Sequence, residues 1–369
     1  MLSGNNAPVT SIGFFNSNKA WGGGEKWHFS TAHMMKERNM EVTVFAQPDC
    51  ELIRRTRNAG ISSVACRVSN ISFLNPVKVI RLTRIFRKLH LQALILNLPS
   101  DVKIAGIAAR LAGIKKIIYR RGSPVPVKNS LMNRFLFRYV LTDIIANSNL
   151  IKKNILLNNP LLVRNSKIRI IHNGITGSPV SASGHSSRPA PGSEAVVIGA
   201  AGRLSPEKGM EWLIRLAHCL KKNGNHFVLQ IAGDGPLKER LMKKSQELGL
   251  TDCVVFKGFI TEMDLFYSTI DLFVLTSAWE GCSNVILEAM ANGLPVIAFN
   301  NSSIPEMIKD NINGFLVKNE DINELTGKVE LLLGDPLLRI KLGQSGKKLA
   351  IEKYDNNRCF DQLMDLVTD

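Results

Sequence analysis

Apolar positions along the chain follow two alternating rhythms. Short β-branched runs, VTSIGFF (9–15), EVTVFA (41–46), SSVACRV (62–68), ALILNL (93–98), KKIIYRR (115–121), DIIANS (143–148) and KIRIIHNGI (167–175), alternate with stretches of helical spacing such as 25–39 and 101–113. A stretch rich in Ser, Pro and Gly, 176–193, interrupts the pattern. The alternation then restarts with AVVIGAAG (195–202), FVLQIAG (227–233), CVVFKGF (253–259), DLFVLTS (271–277), LPVIAF (294–299) and GFLV (314–317). Helical patterns over 207–222, 236–249 and 283–292 lie between these runs, and helices fill the remainder to Asp369. Strands alternating with helices predict parallel βαβ units and doubly wound sheets.

The expected architecture is therefore α/β, with two Rossmann-like doubly wound domains facing across a cleft. Its predicted parts are a first domain over 1–175, a linker over 176–193, a second domain over 194–350, and a C-terminal helix over 351–369 packing back towards the first domain. A chain of 369 residues is long enough for two such cores. No apolar run approaches the ~20 residues of a membrane-spanning helix. The first residues lack a basic leader region, so no secretory signal is expected. The six cysteines include no C-x-x-C pair, which argues against a zinc site or a disulfide framework and fits a reducing cytoplasm.

Charge divides the chain in two. Through residue 175 there are 27 Lys and Arg against 7 Asp and Glu, and beyond it 20 against 24. A cationic half joined to a mildly acidic half implies that the first half meets a polyanion: nucleic acid, an anionic membrane surface or a phosphate-rich substrate. In 76–90, Lys78, Arg81, Arg84 and Lys88 recur along one helical face, and Val77, Ile80, Leu82, Ile85, Phe86 and Leu89 are expected to form the apolar side. In 129–141, Arg134 and Arg138 mix with Leu131, Met132, Phe135, Leu136 and Phe137. Helices of this kind either pack against a sheet with a solvated basic face or lie on an anionic bilayer. No zinc-finger spacing, aromatic-interleaved basic strand or RNA-binding motif favours nucleic acid.

Three clusters carry candidate chemistry. NKAWGGGEKW (18–27) follows the first strand, and its glycines allow close backbone approach to a phosphate at a helix N-terminus. AAGRLSPEKGMEWLI (200–214) projects Arg203 and Lys208 from the end of a strand, two cations suited to a diphosphate. SAWEGCSNVILEAMANGLPVIA (277–298) places Glu280 in a loop and Glu288 inside the following helix, with seven residues between them. Carboxylates there can accept hydrogen bonds from sugar hydroxyls, beside the positive end of a helix. His28, His33 and His172 are expected to pack or cap. No D-x-D motif is present to hold a divalent ion, and no metal ligand is assigned.

In these motifs the chain resembles the family 4 retaining glycosyltransferases, group 1 type, with the two-domain GT-B fold. GRLSPEKG (202–209) matches the family's donor diphosphate motif and EGCSNVILEAMANGLPVIA (280–298) its two-glutamate signature, with GGGEKW (22–27) and IIHNGI (170–175) as companions. The resemblance implies that Arg203 and Lys208 neutralise the diphosphate of a nucleotide sugar, that Glu288 holds the ribose and that Glu280 contacts the donor sugar. It implies a sugar and phosphate lining from Gly281, Cys282, Ser283, Asn284 and Val285. Gly23 and Gly24 approach the phosphates, and the base lies near Gly233 and Gly258. Arg203, Lys208 and Glu280 are the catalytic candidates. No resident cofactor is expected, and a UDP-sugar is the favoured co-substrate.

The implied acceptor is a glycan or lipid-linked glycan of lipopolysaccharide, capsule or other surface polysaccharide, reached at the inner face of the cytoplasmic membrane. The runner-up is an inactive nucleotide-sugar or glycan binding protein of the same fold, against which the intact Arg203, Lys208, Glu280 and Glu288 speak. The chain also departs from the family pattern: EGCSNV stands where many relatives carry EGFGLP. YRRGSP (119–124) lacks their His or Asp, leaving Arg120 or Arg121 to meet a phosphate or anionic acceptor, and Thr176 replaces an acidic residue after NGI.

Overall fold

The computed structural model describes residues 11–175 and 195–368. The proposed linker 176–193 and Thr176 lie outside the described residues. The chain divides into two compact units, one running to His172 and including the segment from Phe360 onward, the other spanning Asn173–Cys359.

The first unit is built on seven parallel strands: β1 (Ser11–Asn16), β2 (Glu41–Ala46), β3 (Ser62–Ala65), β4 (Ala93–Leu96), β5 (Lys116–Arg121), β6 (Asp143–Ala146) and β7 (Ile168–Ile170). Their spatial order is β3-β2-β1-β4-β5-β6-β7. The second unit holds six, β8 (Val196–Ala201), β9 (Phe227–Ala232), β10 (Val254–Gly258), β11 (Leu272–Leu275), β12 (Val296–Phe299) and β13 (Gly314–Val317), in the order β10-β9-β8-β11-β12-β13. The central strands β1, β4, β11 and β12 are buried along their whole length, as in ALIL of β4 and LFVL of β11. Such unbroken apolar runs mark strands covered by helices on both faces. In both sheets the chain reverses its direction of winding beside the first strand, between β1 and β4 and again between β8 and β11. Open α/β sheets bind ligands at that switch point, outside the carboxyl ends of the strands.

The basic helix Pro76–Lys88 forms as its cap predicts. The Asn75 side chain accepts from Lys78 N at 3.2 Å, and Pro76 takes the first position, where no amide is needed. Its buried face matches the expectation only in part: Leu82 and Phe86 are buried as expected, but Val79 joins them while Val77 (71% exposed) and Ile80 face solvent. Two apolar stripes are possible on that helix, and the one that reaches the sheet is the stripe spaced i, i+3, i+7. The expected crossover helix 101–113 is helical throughout but includes a π-helical segment, Val102–Gly106, before Ile107–Ala112. The segment 129–141 likewise joins the helix Leu131–Phe135 to a π-helical turn, Leu136–Val140, with Leu136 and Phe137 buried and Leu131 (81%) and Phe135 exposed. After the helix Pro336–Tyr354, the terminal helix Asn356–Thr368 brings Phe360 under the Arg38 guanidinium at 4.2 Å and Asp361 to 3.0 Å from it.

Candidate active site

In the second unit the carboxyl ends of β10, β9, β8 and β11 lie side by side, and backbone bonds tie their outgoing loops together. Gly233 N donates to Gly258 O at 2.7 Å, Gly202 N to Ala232 O at 3.0 Å, and Leu204 N to Asp234 O at 2.9 Å. Candidates distant in sequence thus share one rim. The Arg203–Gly209 loop is short because a 3-10 turn, Pro206–Lys208, leads directly into the helix Met210–Lys222. Gly209 makes that junction possible. It has a left-handed φ of 61°, and a Cβ there would stand 2.0 Å from Thr276 O. Thr276 Oγ1 donates to Gly209 O at 2.9 Å, and Ala278 N donates to Glu207 O at 2.9 Å, which stitches this loop to the one after β11.

That stitching places Lys208 Nζ 2.7 Å from Glu280 Oε1, in a largely buried ion pair. The two residues were assigned separate ligand contacts; here each neutralises the other, and Ser303 Oγ holds the Glu280 carbonyl at 2.9 Å. Arg203 is exposed on the same loop and has no ion pair among the described residues. Gly281 and Cys282 lead through Ser283 into the helix Asn284–Ala291, where Asn284 Oδ1 accepts from Asn173 Nδ2 at 2.7 Å. Asn173 belongs to the IIHNGI motif, so that motif reaches the start of this helix. Val285 is the second residue of the helix and only partly buried.

Glu288 lies one turn further in, half-buried, and its Oε2 accepts from the Tyr267 hydroxyl at 2.9 Å. Tyr267 is buried against Phe266 and Phe273. Burial, reinforced by the Glu288 charge, holds its phenol far above the usual value, so it remains a donor that orients the carboxylate. Sequence reasoning missed Tyr267. An aromatic residue on the helix Met263–Ser268, ahead of a strand, looks like core, and nothing nearby in sequence links it to Glu288.

The first unit holds Gly23 and Gly24, which the structure places in the first turn of the helix Gly23–Glu37 rather than in a loop before residue 25. A Cβ on Gly24 would sit 3.0 Å from Asn97 Nδ2, so the close approach there serves the protein's own packing too. Two residues are new at this switch point. The buried Glu25 Oε1 accepts from Asn16 Nδ2 (3.1 Å), Asn18 Nδ2 (3.0 Å) and Asn97 Nδ2 (3.4 Å). Asp101 accepts from the Ser17 hydroxyl and amide and from Leu98 N (2.9 Å). Burial pushes the Asp101 carboxyl up to about 7 against the pull of those bonds.

Arg120 and Arg121 are not surface charges; both are buried. Arg121 is held by the Tyr119 hydroxyl at 3.1 Å and by the Val125 carbonyl. The Arg120 guanidinium lies over the Trp27 ring at 4.5 Å, with Nη1 3.4 Å from Asn97 Oδ1. His28 is fully buried with its ring 5.5 Å from Phe14, and burial together with the Arg120 charge keeps its pKa well below the usual imidazole value. His172 Nδ1 donates to Asn147 O at 2.9 Å, and His33 lies 3.5 Å from Glu37. Among the described residues, no helix is long and apolar enough to cross a membrane, and no group of three or more His, Cys, Asp or Glu could hold a metal ion.

Comparison with known proteins adds to this geometry. Residues 186–349 match the family model for glycosyl transferases group 1, and residues 21–176 match that for glycosyltransferase family 4. An alpha-D-kanosaminyltransferase of Streptomyces kanamyceticus is 34% identical over 164 residues, covering 44% of this chain and 42% of the relative. A lipopolysaccharide core biosynthesis glycosyltransferase, LpsD of Rhizobium meliloti, is 30% identical over 199 residues, 54% of this chain and 57% of the relative. The chain thus spans about half the length of the curated relatives it matches. Among solved structures, Anabaena HepE in complex with UDP superposes with a TM-score of 0.83 at 20% identity, over 97% of this chain and all of the other, and shows the fold. Together the two matched models span every strand except β1, and the chain belongs to the group 1, family 4 glycosyltransferases of GT-B fold.

Proposed function

We propose that the protein is a retaining glycosyltransferase. It moves a hexose-type sugar from a nucleoside-diphosphate sugar, preferentially a UDP-sugar, to a glycan or lipid-linked glycan of lipopolysaccharide, capsule or another surface polysaccharide. The observation that carries this reading is at the rim of the second sheet: Lys208 pairs with Glu280 at the switch point between β8 and β11, with Arg203 on the loop after β8 and Glu288 in the helix that follows β11. Arg203 and Lys208 take the diphosphate, with Lys208 exchanging Glu280 for a phosphate oxygen. Glu280, so released, receives hydroxyls of the donor sugar. Glu288, aligned by Tyr267, receives the ribose hydroxyls. Gly281, Cys282, Ser283, Asn284 and Val285 present the loop and the first helical amides to sugar and phosphate. Gly233 and Gly258 flank the base.

Charge stabilisation of the departing diphosphate supplies most of the catalysis. The glycosyl bond to phosphate breaks as the acceptor oxygen bonds the anomeric carbon from the same face, and the leaving phosphate accepts the acceptor's proton. With the donor bound, Glu280 is engaged by the sugar hydroxyls and Glu288 by Tyr267 and the ribose, so neither serves as the nucleophile of a double displacement in this reading. The nucleotide sugar is a co-substrate, and no resident cofactor or protein-bound metal is invoked.

The acceptor side is the cationic first unit, working at the inner face of the cytoplasmic membrane. Its helix Pro76–Lys88 exposes Val77 and Ile80 among Lys78, Arg81 and Arg84, beside the exposed Ile71 and Leu74. Leu131, Phe135 and Tyr139 stand out in the same way with Arg134 and Arg138. Apolar side chains interleaved with cations suit an anionic bilayer surface. Relatives that act on lipopolysaccharide core support the pathway.

The test is thermal unfolding against UDP-, GDP-, ADP- and TDP-sugars, with Glu288→Ala and Arg203→Ala beside the wild type. One nucleotide class is expected to raise the midpoint in a concentration-dependent way, and both variants are expected to lose the shift. If no nucleotide sugar raises it, the transferase reading fails and a non-catalytic binding protein takes its place.

A further inference from the structure

Beyond the carboxyl ends of β2 and β3, on the first unit, lies a pocket of about 470 Å³ that none of the donor-site candidates lines, although Lys78 of the basic helix does. Its walls include Lys19, Gln47, Asp49, Arg67, Ser69 and Lys78, three cations against one carboxylate. The size falls within the range of small-molecule sites, ~300–1,000 Å³. Among the described residues none of the three cations forms an ion pair or lies over a ring; Lys78 Nζ only reaches the Arg67 carbonyl, at 3.5 Å. The loop that carries Arg67 is braced by its own bonds: Gln47 Nε2 donates to Val68 O at 2.6 Å and Ser69 N to Ser72 Oγ at 2.9 Å. The cations are therefore not consumed in holding the pocket together.

We propose that this pocket is a subsite for an anionic sugar, phosphorylated or carboxylated, of the acceptor glycan. Lys19, Arg67 and Lys78 take the anion through charge-assisted hydrogen bonds, and Asp49 accepts from a sugar hydroxyl. Pro48 and Val68 also line the walls, beside which a sugar's CH groups can pack, and the lining offers no aromatic face for a base. Position supports an acceptor role: Lys19 stands in the loop between β1 and the helix Gly23–Glu37, leading into the first turn that holds Gly23 and Gly24. The acceptor role rests on the transferase reading above.

The experiment is thermal unfolding of the full chain with glucose-6-phosphate, glucuronate, glucose and inorganic phosphate at matched concentration, with UDP-glucose in a parallel arm. The double variant Arg67→Ala/Lys78→Ala accompanies the wild type. At least one anionic sugar is expected to raise the wild-type midpoint saturably, and whichever responds names the anion; glucose and inorganic phosphate are expected not to match it. The double variant is expected to bind that sugar at least about tenfold more weakly, with the UDP-glucose shift unchanged. No response to either anionic sugar, an equal response to glucose or inorganic phosphate, or an unaltered double variant would each overturn the proposal. If UDP-glucose gives no shift while the sugar response survives, the pocket binds anionic sugars but its role as an acceptor subsite is lost with the transferase reading. The opposite pattern defeats the pocket alone.

Discussion

At the switch point between β8 and β11 the opposing side chains, Lys208 and Glu280, form one partly exposed ion pair. At the corresponding point between β1 and β4, Glu25 and Asp101 are buried and bonded to Asn16, Asn18, Asn97 and Ser17. One strand order produces both crevices. What differs is the job of the polar groups that fill them. In the second unit the pair is a single side-chain contact, Lys208 partly exposed and Glu280 buried, so under the proposed reading a phosphate that takes Lys208 has one side-chain bond to replace. In the first unit the same location serves as an internal bracket, and the charges that face outward sit on the helix Pro76–Lys88 and around the pocket beside β3.

The largest effect that would sharpen this contrast is expected at Lys208. Lys208→Ala removes a cation from the leaving diphosphate and strands Glu280, and turnover, measured as release of nucleoside diphosphate, should fall by about 100-fold or more. Asn16→Ala in the first unit, which leaves two donors on Glu25, is expected to cost about 1 kcal/mol of stability instead, read by urea unfolding.

Next comes Gly209→Ala, where a left-handed backbone and a Cβ overlapping Thr276 O should together cost about 2–3 kcal/mol, read as a lower unfolding midpoint. Comparable donor affinity and unchanged stability in that variant would show that the two loops are not locked to each other.

The bracket in the first unit should show itself through pH. Asp101 has a folded pKa raised to about 7 from the ordinary value near 4, so the folded chain binds the proton more tightly than the unfolded one. Its contribution to stability is therefore fully present below about pH 4 and is lost as pH rises towards 7. Asp101→Asn is expected to remove that slope from the pH dependence of the urea midpoint, and a slope unchanged in the variant would contradict the assignment.

The smallest effect concerns the outward charges. Arg81→Glu is expected to change stability by less than about 0.5 kcal/mol while weakening binding to anionic vesicles by about 2 kcal/mol or less, an effect that salt diminishes. Equal vesicle binding by variant and wild type would detach the cationic helix from any membrane role.

The same contrast explains what the sequence revealed. Arg203, Lys208, Glu280 and Glu288 were legible because each lies in a contiguous run whose turn residues, Pro206, Gly209 and Gly281, also show where the strand ends and the helix begins. The alternation of apolar runs likewise placed nearly every strand to within two residues of its observed position. Glu25 was not legible as a hub, because its partners come from positions 16, 18 and 97 and meet only once β1 and β4 are adjacent. Tyr267 and Asn173 escaped for the same reason, each acting on a helix far from it in sequence. The orientation of the helix Pro76–Lys88 was misjudged because Val77 and Ile80 are as apolar as Val79 and Leu82. Only packing against the sheet selects between the two stripes. From the sequence alone Arg120 and Arg121 are candidates to meet a phosphate or anionic acceptor. Their burial follows from sitting at the end of β5, a strand flanked on both sides by β4 and β6.

The central claim is that the rim of the second sheet is a diphosphate site whose ion pair opens for its ligand. Titration calorimetry of UDP into the wild type, Arg203→Ala and Glu288→Ala tests it most directly. The account predicts saturable one-to-one binding to the wild type, weakened at least about tenfold in each variant. Absence of binding by UDP and by GDP, ADP and TDP alike, or variants that bind as the wild type does, would contradict it.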